Sequence, residues 1–255
     1  MEIRRQYFET IDSTNLEIKR IAATGALEGT VISAGEQTAG RGRSGHQWET
    51  PKDVSLATSI LLRPTVKIEH VSRLTLIAAM AVAEAVESLY DLETEIKWPN
   101  DILVNRKKIC GILTEMDARE NQVQYVVVGI GVNVHTREFP EELREKATSL
   151  DLELERLGMD RVKTSRRDLD EAIWNHFQKY YDVFQRTEDL QCILDAYNKR
   201  LVNREREVRV LDPLGAYTGV AKGMNERGEL LVDVSGQLRA VDSGEVSVRG
   251  IYGYV

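Results

Sequence analysis

Apolar residues recur at helical spacing in several stretches of the chain. Residues 71–90 are apolar on nearly every face, which is typical of a helix buried in a core. Residues 165–186 and 187–201 carry apolar and aromatic side chains on one face and predict two amphipathic helices. A shorter apolar spacing over residues 16–22 stops before a glycine and predicts a helix near the start of the chain. The charged segment 140–157 is also helix-prone.

Runs of β-branched and apolar residues between these segments predict strands. Residues 30–34 and 55–62 form two of them, and residues 96–115 indicate a compact meander with polar turns. The near-continuous apolar run over residues 125–134 predicts a strand that is covered on both faces. Strands interleaved with helices in this way predict a mixed sheet flanked by helices.

The pattern changes after a polar, charged segment at residues 202–206. From there the chain consists of short strands separated by glycine-bearing turns, which predicts a small antiparallel barrel or sandwich. We therefore expect an α+β protein with a catalytic or binding domain at residues 1–203 and a small β domain at residues 204–255.

Composition narrows the class of protein. A hydrophobic content of 42% in 255 residues is enough to build a packed core. The net charge of -7 argues against an extended DNA-binding surface. The two cysteines, Cys110 and Cys192, do not form the pattern of a disulfide-rich protein, and the first residues contain no apolar secretory segment. We therefore expect a cytoplasmic protein. No apolar run is long enough to span a membrane.

The most unusual stretch is residues 40–48, the glycine–arginine loop. It holds three glycines, two arginines and Trp48. Glycine lets a backbone approach a ligand closely, and arginine matches carboxylate and phosphate groups. This composition predicts a flexible loop that closes over an anion. A solvated basic surface loop remains the alternative interpretation of this stretch taken alone.

Three further features are candidates for a site. Lys108 stands at the start of an apolar strand, where its side chain could point towards a ligand. Gly129 and Gly131 remove two side chains from one face of a strand, which is typical either of close approach by a ligand or of tight helix–sheet packing. Thr14 and Glu17 fit a capping box at the start of a helix, and a helix start can also bind an anion or a carbonyl.

Several motifs along the chain together resemble those of a known family. They are Ser13-Thr14-Asn15, Gln37, Gly40-Arg41-Gly42-Arg43, Trp48, Lys97-Trp98-Pro99-Asn100-Asp101, Lys108 with Gly111-Ile112-Leu113, Gly129-Ile130-Gly131-Val132-Asn133, and Gly244-Glu245-Val246-Ser247-Val248-Arg249. In this order they resemble the biotin–protein ligases (biotin–[acetyl-CoA-carboxylase] ligases) over nearly the whole chain. The resemblance implies a class II synthetase-like, biotin–lipoate ligase fold with an SH3-like C-terminal barrel.

The resemblance also implies a reaction and a set of site residues. Biotin would react with ATP and Mg²⁺ to give biotinyl-5′-AMP, from which biotin passes to a lysine of a biotin carboxyl carrier protein. Residues implied in catalysis are Lys108, Arg41 and Arg43. Residues implied in biotin binding are Ser13, Thr14, Asn15, Gln37, Gly40, Arg41, Gly42, Trp48, Lys108, Gly111, Gly129 and Gly131. Residues implied in nucleotide binding are Arg43, Trp48, Asn100, Asn133, Glu245 and Arg249, with Asp101 as a weak candidate for supporting Mg²⁺.

Two other functions stay open. A lipoate–protein ligase or octanoyltransferase would share the fold, although the glycine–arginine loop combined with residues 97–101 favours biotin. A non-catalytic biotin- or nucleotide-binding module would bind without turnover. We expect the form of the family that lacks an N-terminal DNA-binding domain, because the motif at Ser13 begins so near Met1. An exposed sheet edge could pair with the carrier protein or with a second copy as a homodimer.

Overall fold

The computed structural model describes residues 1–45, 47–159, 163–212, 215–243 and 247–250, with all of their side chains except those of Ser44, Ser247 and Arg249. Within these residues the chain forms five α-helices: α1 Thr14–Ala23, α2 Arg73–Tyr90, α3 Leu150–Arg156, α4 Arg166–Thr187 and α5 Leu194–Arg200. The strands in the same part of the chain are β1 Arg4–Ile11, β2 Thr30–Gln37, β3 Ser55–Leu62, β4 Glu95–Lys97, β5 Asp101–Val104, β6 Lys107–Arg119, β7 Gln122–Asn133, β8 Arg206–Leu211, β9 Tyr217–Met224, β10 Leu230–Val234, β11 Gln237–Val241 and β12 Ser247–Gly250.

The first seven strands form one mixed sheet in the order β1-β2-β3-β7-β6-β5-β4. β1 and β2 are parallel, and the other neighbours are antiparallel, which confirms the predicted mixed sheet. β3 and β7 lie at its centre, and this position explains why all of β3 and the last eight residues of β7 are buried. β1 was not predicted, because it is an edge strand whose side chains are mostly exposed and polar.

Helices cover the two faces of this sheet unequally. α2 packs on α4, and both lie against the face that carries the large core, in which Trp174, Phe177 and Phe184 are fully buried. The other face has only a small apolar cluster, formed by α1 with Leu61 and Val127. Since α1 spans only ten residues, part of this second face is left for polar side chains and glycines.

The last five strands form a separate antiparallel sheet in the order β11-β10-β9-β8-β12, as expected for the small C-terminal barrel. Side chains join it to the rest of the molecule. The indole N–H of Trp98 donates to the carbonyl of Gly228 at 3.2 Å, and Nδ2 of Asn198 donates to the carbonyl of Met224 at 2.9 Å. The division into domains at residue 203 stays a prediction.

Two predicted helices are shorter than expected. The segment 140–157 is helical only over α3, where Ser149 accepts a hydrogen bond from the N–H of Leu152 at 3.4 Å. Most side chains before Ser149 are exposed, so no apolar face supports their helical propensity. In the segment 187–201, Thr187 is the last residue of α4, and the remaining residues are α-helical only over α5. Among the described residues, no helix has both the length and the apolar character needed to cross a membrane.

Candidate active site

A narrow cavity lies on the α1 face of the large sheet, between the start of α1, the glycine–arginine loop and the strands β6 and β7. Its volume is about 50 Å³, which is room for a few water molecules. It is lined by Ser13, Thr14, Asn15, Gln37, Arg41, Gly42, Arg43, Trp48, Ala57, Asn100, Lys108, Gly111, Ile112, Leu113, Gly129, Ile130 and Gly131. Most of the residues predicted for the site are therefore brought together.

The start of α1 forms the polar end of the cavity. The N–H of Thr14 donates to Oε1 of Gln37 at 2.9 Å, and Oγ1 of Thr14 lies 3.1 Å from the same oxygen. Nε2 of Gln37 donates to Oγ1 of Thr50 at 3.0 Å, so the amide of Gln37 is held in one orientation. The predicted capping box of Thr14 and Glu17 is wrong. Ser13, not Thr14, is the N-cap, and its side chain makes no cap bond. The N–H of Thr14, the first residue of the helix, is satisfied by Gln37 instead.

Two residues absent from the prediction, Ser59 and Glu115, complete this polar end. Oγ of Ser59 lies 2.7 Å from Oγ1 of Thr14 and 2.6 Å from Oδ1 of Asn15. Glu115 accepts from Nδ2 of Asn15 at 2.9 Å and from Nζ of Lys19 at 2.6 Å. Burial raises the pKa of Glu115, but the hydrogen bonds from Lys19 and Asn15 outweigh it and hold the pKa below its ordinary value. Glu115 is therefore a carboxylate at neutral pH.

The glycines of β6 and β7 make room for side chains of the protein itself. A Cβ built on Gly129 would overlap the amide of Asn15, and one on Gly131 would overlap the indole of Trp48. A Cβ on Gly111 would lie 3.1 Å both from the indole and from Nζ of Lys108. The indole therefore rests on the glycine surface inside the cavity, and its buried N–H has no hydrogen-bond partner among the described residues.

Lys108 supplies a cation at the other end of the cavity. Its Nζ lies 2.6 Å from Oδ1 of Asp101 and 5.5 Å from the centre of the Trp48 ring. Both members of the ion pair are mostly buried, with 24% of the Lys108 side chain and 13% of the Asp101 side chain exposed. Such a pair holds the ammonium group in place, and the ring beneath it adds a cation–π contact. Asp101 itself does not line the cavity.

The two arginines of the loop have different surroundings. Arg43 is mostly buried, and its guanidinium donates to Oδ1 of Asn100 at 3.4 Å and to the carbonyl of Ser243 at 3.1 Å. Burial lowers the pKa of Arg43, while Asp101 acts in the opposite direction. Arg41 is half exposed and lies 3.6 Å from Glu115. Arg43 thus fastens the loop to the chain segment that follows β11, whereas Arg41 is held loosely.

Some predicted site residues lie elsewhere. Asn133 is buried outside the cavity and donates from Nδ2 to the carbonyl of Thr148 at 3.1 Å. Gly40 stands beside the cavity rather than in its lining, with the Trp48 carbonyl against its α-carbon. Glu245 lies outside the described residues. Arg249 belongs to β12, but its side chain is also outside the described part of the structure.

The backbone of Lys108 is tied to a distant segment of the chain. Its N–H donates to the carbonyl of Lys146 at 2.8 Å, and its carbonyl accepts from the N–H of Thr148 at 3.0 Å. Lys108 also pairs with Leu103 of β5, next to a register shift in that pairing. Residues 146–148 therefore form a strap along the start of β6.

No metal site is evident in the part of the chain that the structure describes. It contains no group of three or more His, Cys, Asp or Glu side chains that could hold a metal ion. The carboxylate of Asp101 is engaged by Lys108, so it is a weak metal ligand in this conformation. Chemistry at this site would depend on its fixed cations and on whatever metal ion accompanies a phosphate ligand.

Comparisons with known proteins agree with this geometry. Residues 7–133 match the model of the biotin/lipoate A/B protein ligase family, and residues 205–249 match the biotin protein ligase C terminal domain. The chain is 34% identical to the bifunctional ligase/repressor BirA of Bacillus subtilis over 95% of this chain and 73% of that protein. It is 35% identical to the biotin–[acetyl-CoA-carboxylase] ligase of Mycobacterium tuberculosis over 92% of this chain and 85% of that protein.

A solved structure extends the likeness to the fold. The biotin protein ligase of Aquifex aeolicus in complex with biotin and ATP superposes with a TM-score of 0.82 at 27% identity, covering 97% of this chain and 99% of that one. The fold and the site define a ligase of the biotin/lipoate class. Within that class, the chain belongs to the biotin protein ligase family.

Proposed function

We propose that this protein activates biotin with ATP and transfers it to a lysine of a biotin carboxyl carrier domain. The observation that carries the proposal is the two-ended cavity. One end holds fixed hydrogen-bonding groups around Thr14 and Gln37, and the other holds the ammonium group of Lys108. Biotin has the matching form, with a cyclic urea at one end and a carboxylate at the other.

The cations serve the first chemical step. An oxygen of the biotin carboxylate attacks the α-phosphorus of ATP, the bond to the β-phosphate oxygen breaks, and pyrophosphate leaves. Two anions must meet for this to happen, so Lys108, Arg41 and Arg43 would offset their repulsion and stabilise the charge that builds in the transition state. Mg²⁺ would enter with ATP and neutralise its phosphates.

The glycine–arginine loop serves the intermediate. In biotinyl-5′-AMP the biotin carbonyl is an acyl phosphate that water can hydrolyse. Arg43 bonds the loop to the carbonyl of Ser243, and Trp48 covers the glycine surface, so a closed loop would keep water out. The lysine amine of the carrier then attacks the carbonyl and AMP leaves. The unpartnered indole N–H of Trp48 is a further donor for the bound ligand.

Entry of the ligand requires a movement. A cavity of about 50 Å³ cannot hold the two rings of biotin while the indole of Trp48 lies on Gly131. The loop would therefore lift, admit biotin and close over it. This fits a loop in which the side chain of Arg41 is half exposed and lies 3.6 Å from Glu115, with no hydrogen bond between them.

Lipoate or octanoate ligation is the second candidate, because the matching family model includes such enzymes. The polar end of the cavity favours biotin, since the dithiolane ring of lipoate and the chain of octanoate offer no hydrogen-bonding partner to Thr14 and Gln37. An apolar ligand would take these polar groups out of water and form no hydrogen bond in return, which disfavours its binding. A non-catalytic binding module would not need two arginines and a lysine in the lining of its cavity.

The test is pyrophosphate exchange into ATP by the purified protein, with biotin, lipoate or octanoate supplied in turn. Exchange with biotin, followed by a mass increase of one biotin on a carrier domain, is the expected result. Exchange only with lipoate or octanoate would transfer the proposal to the second candidate. Binding of biotin without any exchange would reduce the protein to a binding module.

We extend the proposal to the organisation and location of the protein. The catalytic unit would comprise residues 1–203, and the C-terminal sheet would contribute to the site through the contact of Arg43 with Ser243. Free Cys110 and Cys192 suit the cytoplasm, where carboxylases are modified. The net charge of -7 favours a protein partner over DNA.

A further inference from the structure

We propose that Glu153, a residue outside the cavity of the candidate active site, is a positioning residue for the ammonium group of Lys108. Glu153 lies in α3 and is only 4% exposed, which is rare for a carboxylate. It acts on Lys108 through Thr148, the last residue of the strap. The inference rests on the proposed function and adds a residue on which the position of the reacting cation depends.

The strap takes the place of β7 beside the start of β6. The pairing of β6 with β7 ends at Cys110, opposite Val132, so Lys108 extends beyond it. There the strap is the neighbour of β6, and Lys108 forms a parallel bridge with Ala147. The N–H and the carbonyl of Lys108 are both hydrogen-bonded to the strap. The backbone position of Lys108 is therefore set by the strap.

The strap is fixed at one end only. Residues 140–146, which lead into it, are exposed, and the chain becomes buried again at Thr148. Ala147, between the two, is partly buried. A strap that leaves the solvent at Thr148 depends on the contacts of this residue for its place on β6.

Three hydrogen bonds hold Thr148. Its N–H donates to the carbonyl of Lys108 at 3.0 Å, and its carbonyl accepts from Nδ2 of Asn133 at 3.1 Å. Its hydroxyl donates to Oε1 of Glu153 at 2.8 Å. Thr148 is almost fully buried, so a lost partner is not readily replaced by water. The bond to Glu153 is the one that joins the strap to α3 through side chains.

Glu153 is itself held in one orientation. Its other oxygen, Oε2, accepts from Nε of Arg156 at 2.7 Å, three residues further along α3. Its own N–H donates to the carbonyl of Ser149 at 3.1 Å, at the start of the helix. A carboxylate is a stronger acceptor than a neutral group. α3 thus presents a fixed, buried acceptor to the strap.

Loss of this acceptor would act on the reaction through Lys108. The hydroxyl of Thr148 would be left buried without a partner, which favours a shift of the strap. The backbone of Lys108 would shift with the strap and move the ammonium group away from the reacting anions. A displacement of about 1 Å can reduce the rate about 100-fold. Because the charge builds up in the transition state, kcat should fall more than the affinity for ATP.

The test is a double-mutant cycle between Glu153 and Lys108, with biotin-dependent pyrophosphate exchange as the readout. Glu153→Ala should lower kcat about tenfold or more when Lys108 is present. In the Lys108→Ala background it should lower kcat less than about twofold further, because no ammonium group remains to be positioned. The KM for ATP should stay within about twofold in both backgrounds.

Conservative variants separate the hydrogen bond from the charge. Glu153→Gln keeps an oxygen that can accept from Thr148, so it should retain at least about half of the wild-type kcat. Thr148→Val, with a similar shape but no hydroxyl, should lower kcat as Glu153→Ala does, whereas Thr148→Ser should resemble the wild type. The two Thr148 variants decide the question if Glu153→Ala does not melt cooperatively.

Glu155→Ala is the matched control on the same helix. The carboxylate of Glu155 pairs with Arg137 at 2.6 Å rather than with the strap, and it is partly exposed. This variant should keep kcat within about twofold of the wild type. An equal fall in Glu155→Ala and Glu153→Ala would overturn the inference, because a general loosening of α3 would then be the cause.

The remaining outcomes distinguish the inference from the function on which it rests. An equal fall in kcat in the two backgrounds of the cycle would overturn the link between Glu153 and Lys108. A higher KM for ATP with an unchanged kcat would also overturn it and would assign Glu153 to nucleotide binding. Absence of exchange with biotin in the wild-type protein would refute the proposed function, and the inference with it.

Discussion

Removing the ammonium group of Lys108 tests the chemistry of the site most directly. Four cations, Lys19, Arg41, Arg43 and Lys108, stand in or beside the cavity with two carboxylates, Asp101 and Glu115. Lys108→Ala halves the net positive charge of this group, from +2 to +1. It also leaves Asp101 without its ion-pair partner beside the site that must receive a carboxylate and a triphosphate.

The size of the effect follows from charge and distance. A unit charge about 4 Å from a phosphate oxygen contributes roughly 4 kcal/mol at an effective dielectric constant of about 20. Loss of one preorganised donor in other enzymes reduces kcat by about 10²–10³-fold, which is roughly 3–4 kcal/mol. We therefore expect Lys108→Ala to reduce biotin-dependent pyrophosphate exchange by at least about 100-fold.

The neighbouring lysine provides the control. Lys107 pairs with Glu145 at 3.9 Å and is outside the cavity, so Lys107→Ala should change exchange by less than about threefold. Both variants should melt within a few degrees of the wild type. If Lys108→Ala is folded and exchanges pyrophosphate as fast as Lys107→Ala, the assignment of Lys108 to the reacting anions is wrong.

Three further predictions concern the loop and its contacts. Arg43→Gly should release more biotinyl-5′-AMP than Arg41→Gly and so label more lysines of unrelated proteins, because Arg43 makes the stronger contacts with the rest of the protein. Equal labelling by both variants would contradict this. The pKa of Glu115 is lower in the folded than in the unfolded protein, so the ionised carboxylate should stabilise the fold fully above pH 4.5 and progressively less as the pH falls below it. The free energies of unfolding of Glu115→Gln and the wild type, measured in urea, should therefore become equal in acid. A difference that stays constant with pH would contradict this role of Glu115. Gly131→Ala should displace the indole of Trp48, because the added methyl group would overlap it. The KM for biotin should rise about tenfold or more, and the tryptophan fluorescence emission should shift to longer wavelength. An unchanged spectrum and KM would show that the indole does not lie on Gly131 in solution.

The elements that the sequence predicted well are those whose patterns are local. α2 and α4 follow from their apolar spacing, and β7 from its long apolar run. β1 was missed because an edge strand with mostly exposed side chains has no apolar alternation. Residues 140–147 were predicted to be helical but are not, because their helical propensity is not supported by an apolar face that packs on the core.

The site was predictable where unusual residue types cluster in the chain, as in the glycine–arginine loop. Ser59 was missed because a serine in an apolar strand looks like an ordinary strand residue, and its contact with Asn15 spans 44 positions. Glu115 was missed for the same reason, as its partners Asn15 and Lys19 lie about a hundred residues away. The different surroundings of Arg41 and Arg43 arise from long-range contacts that no local motif specifies.

The strap formed by residues 146–148 has a mechanical consequence. Because Lys108 is hydrogen-bonded through its backbone to both Lys146 and Thr148, the ammonium group cannot keep its position if this segment slides along β6. A displacement of this segment would therefore displace the cation as well. The strap thus links the position of the Lys108 ammonium group to the position of residues 146–148.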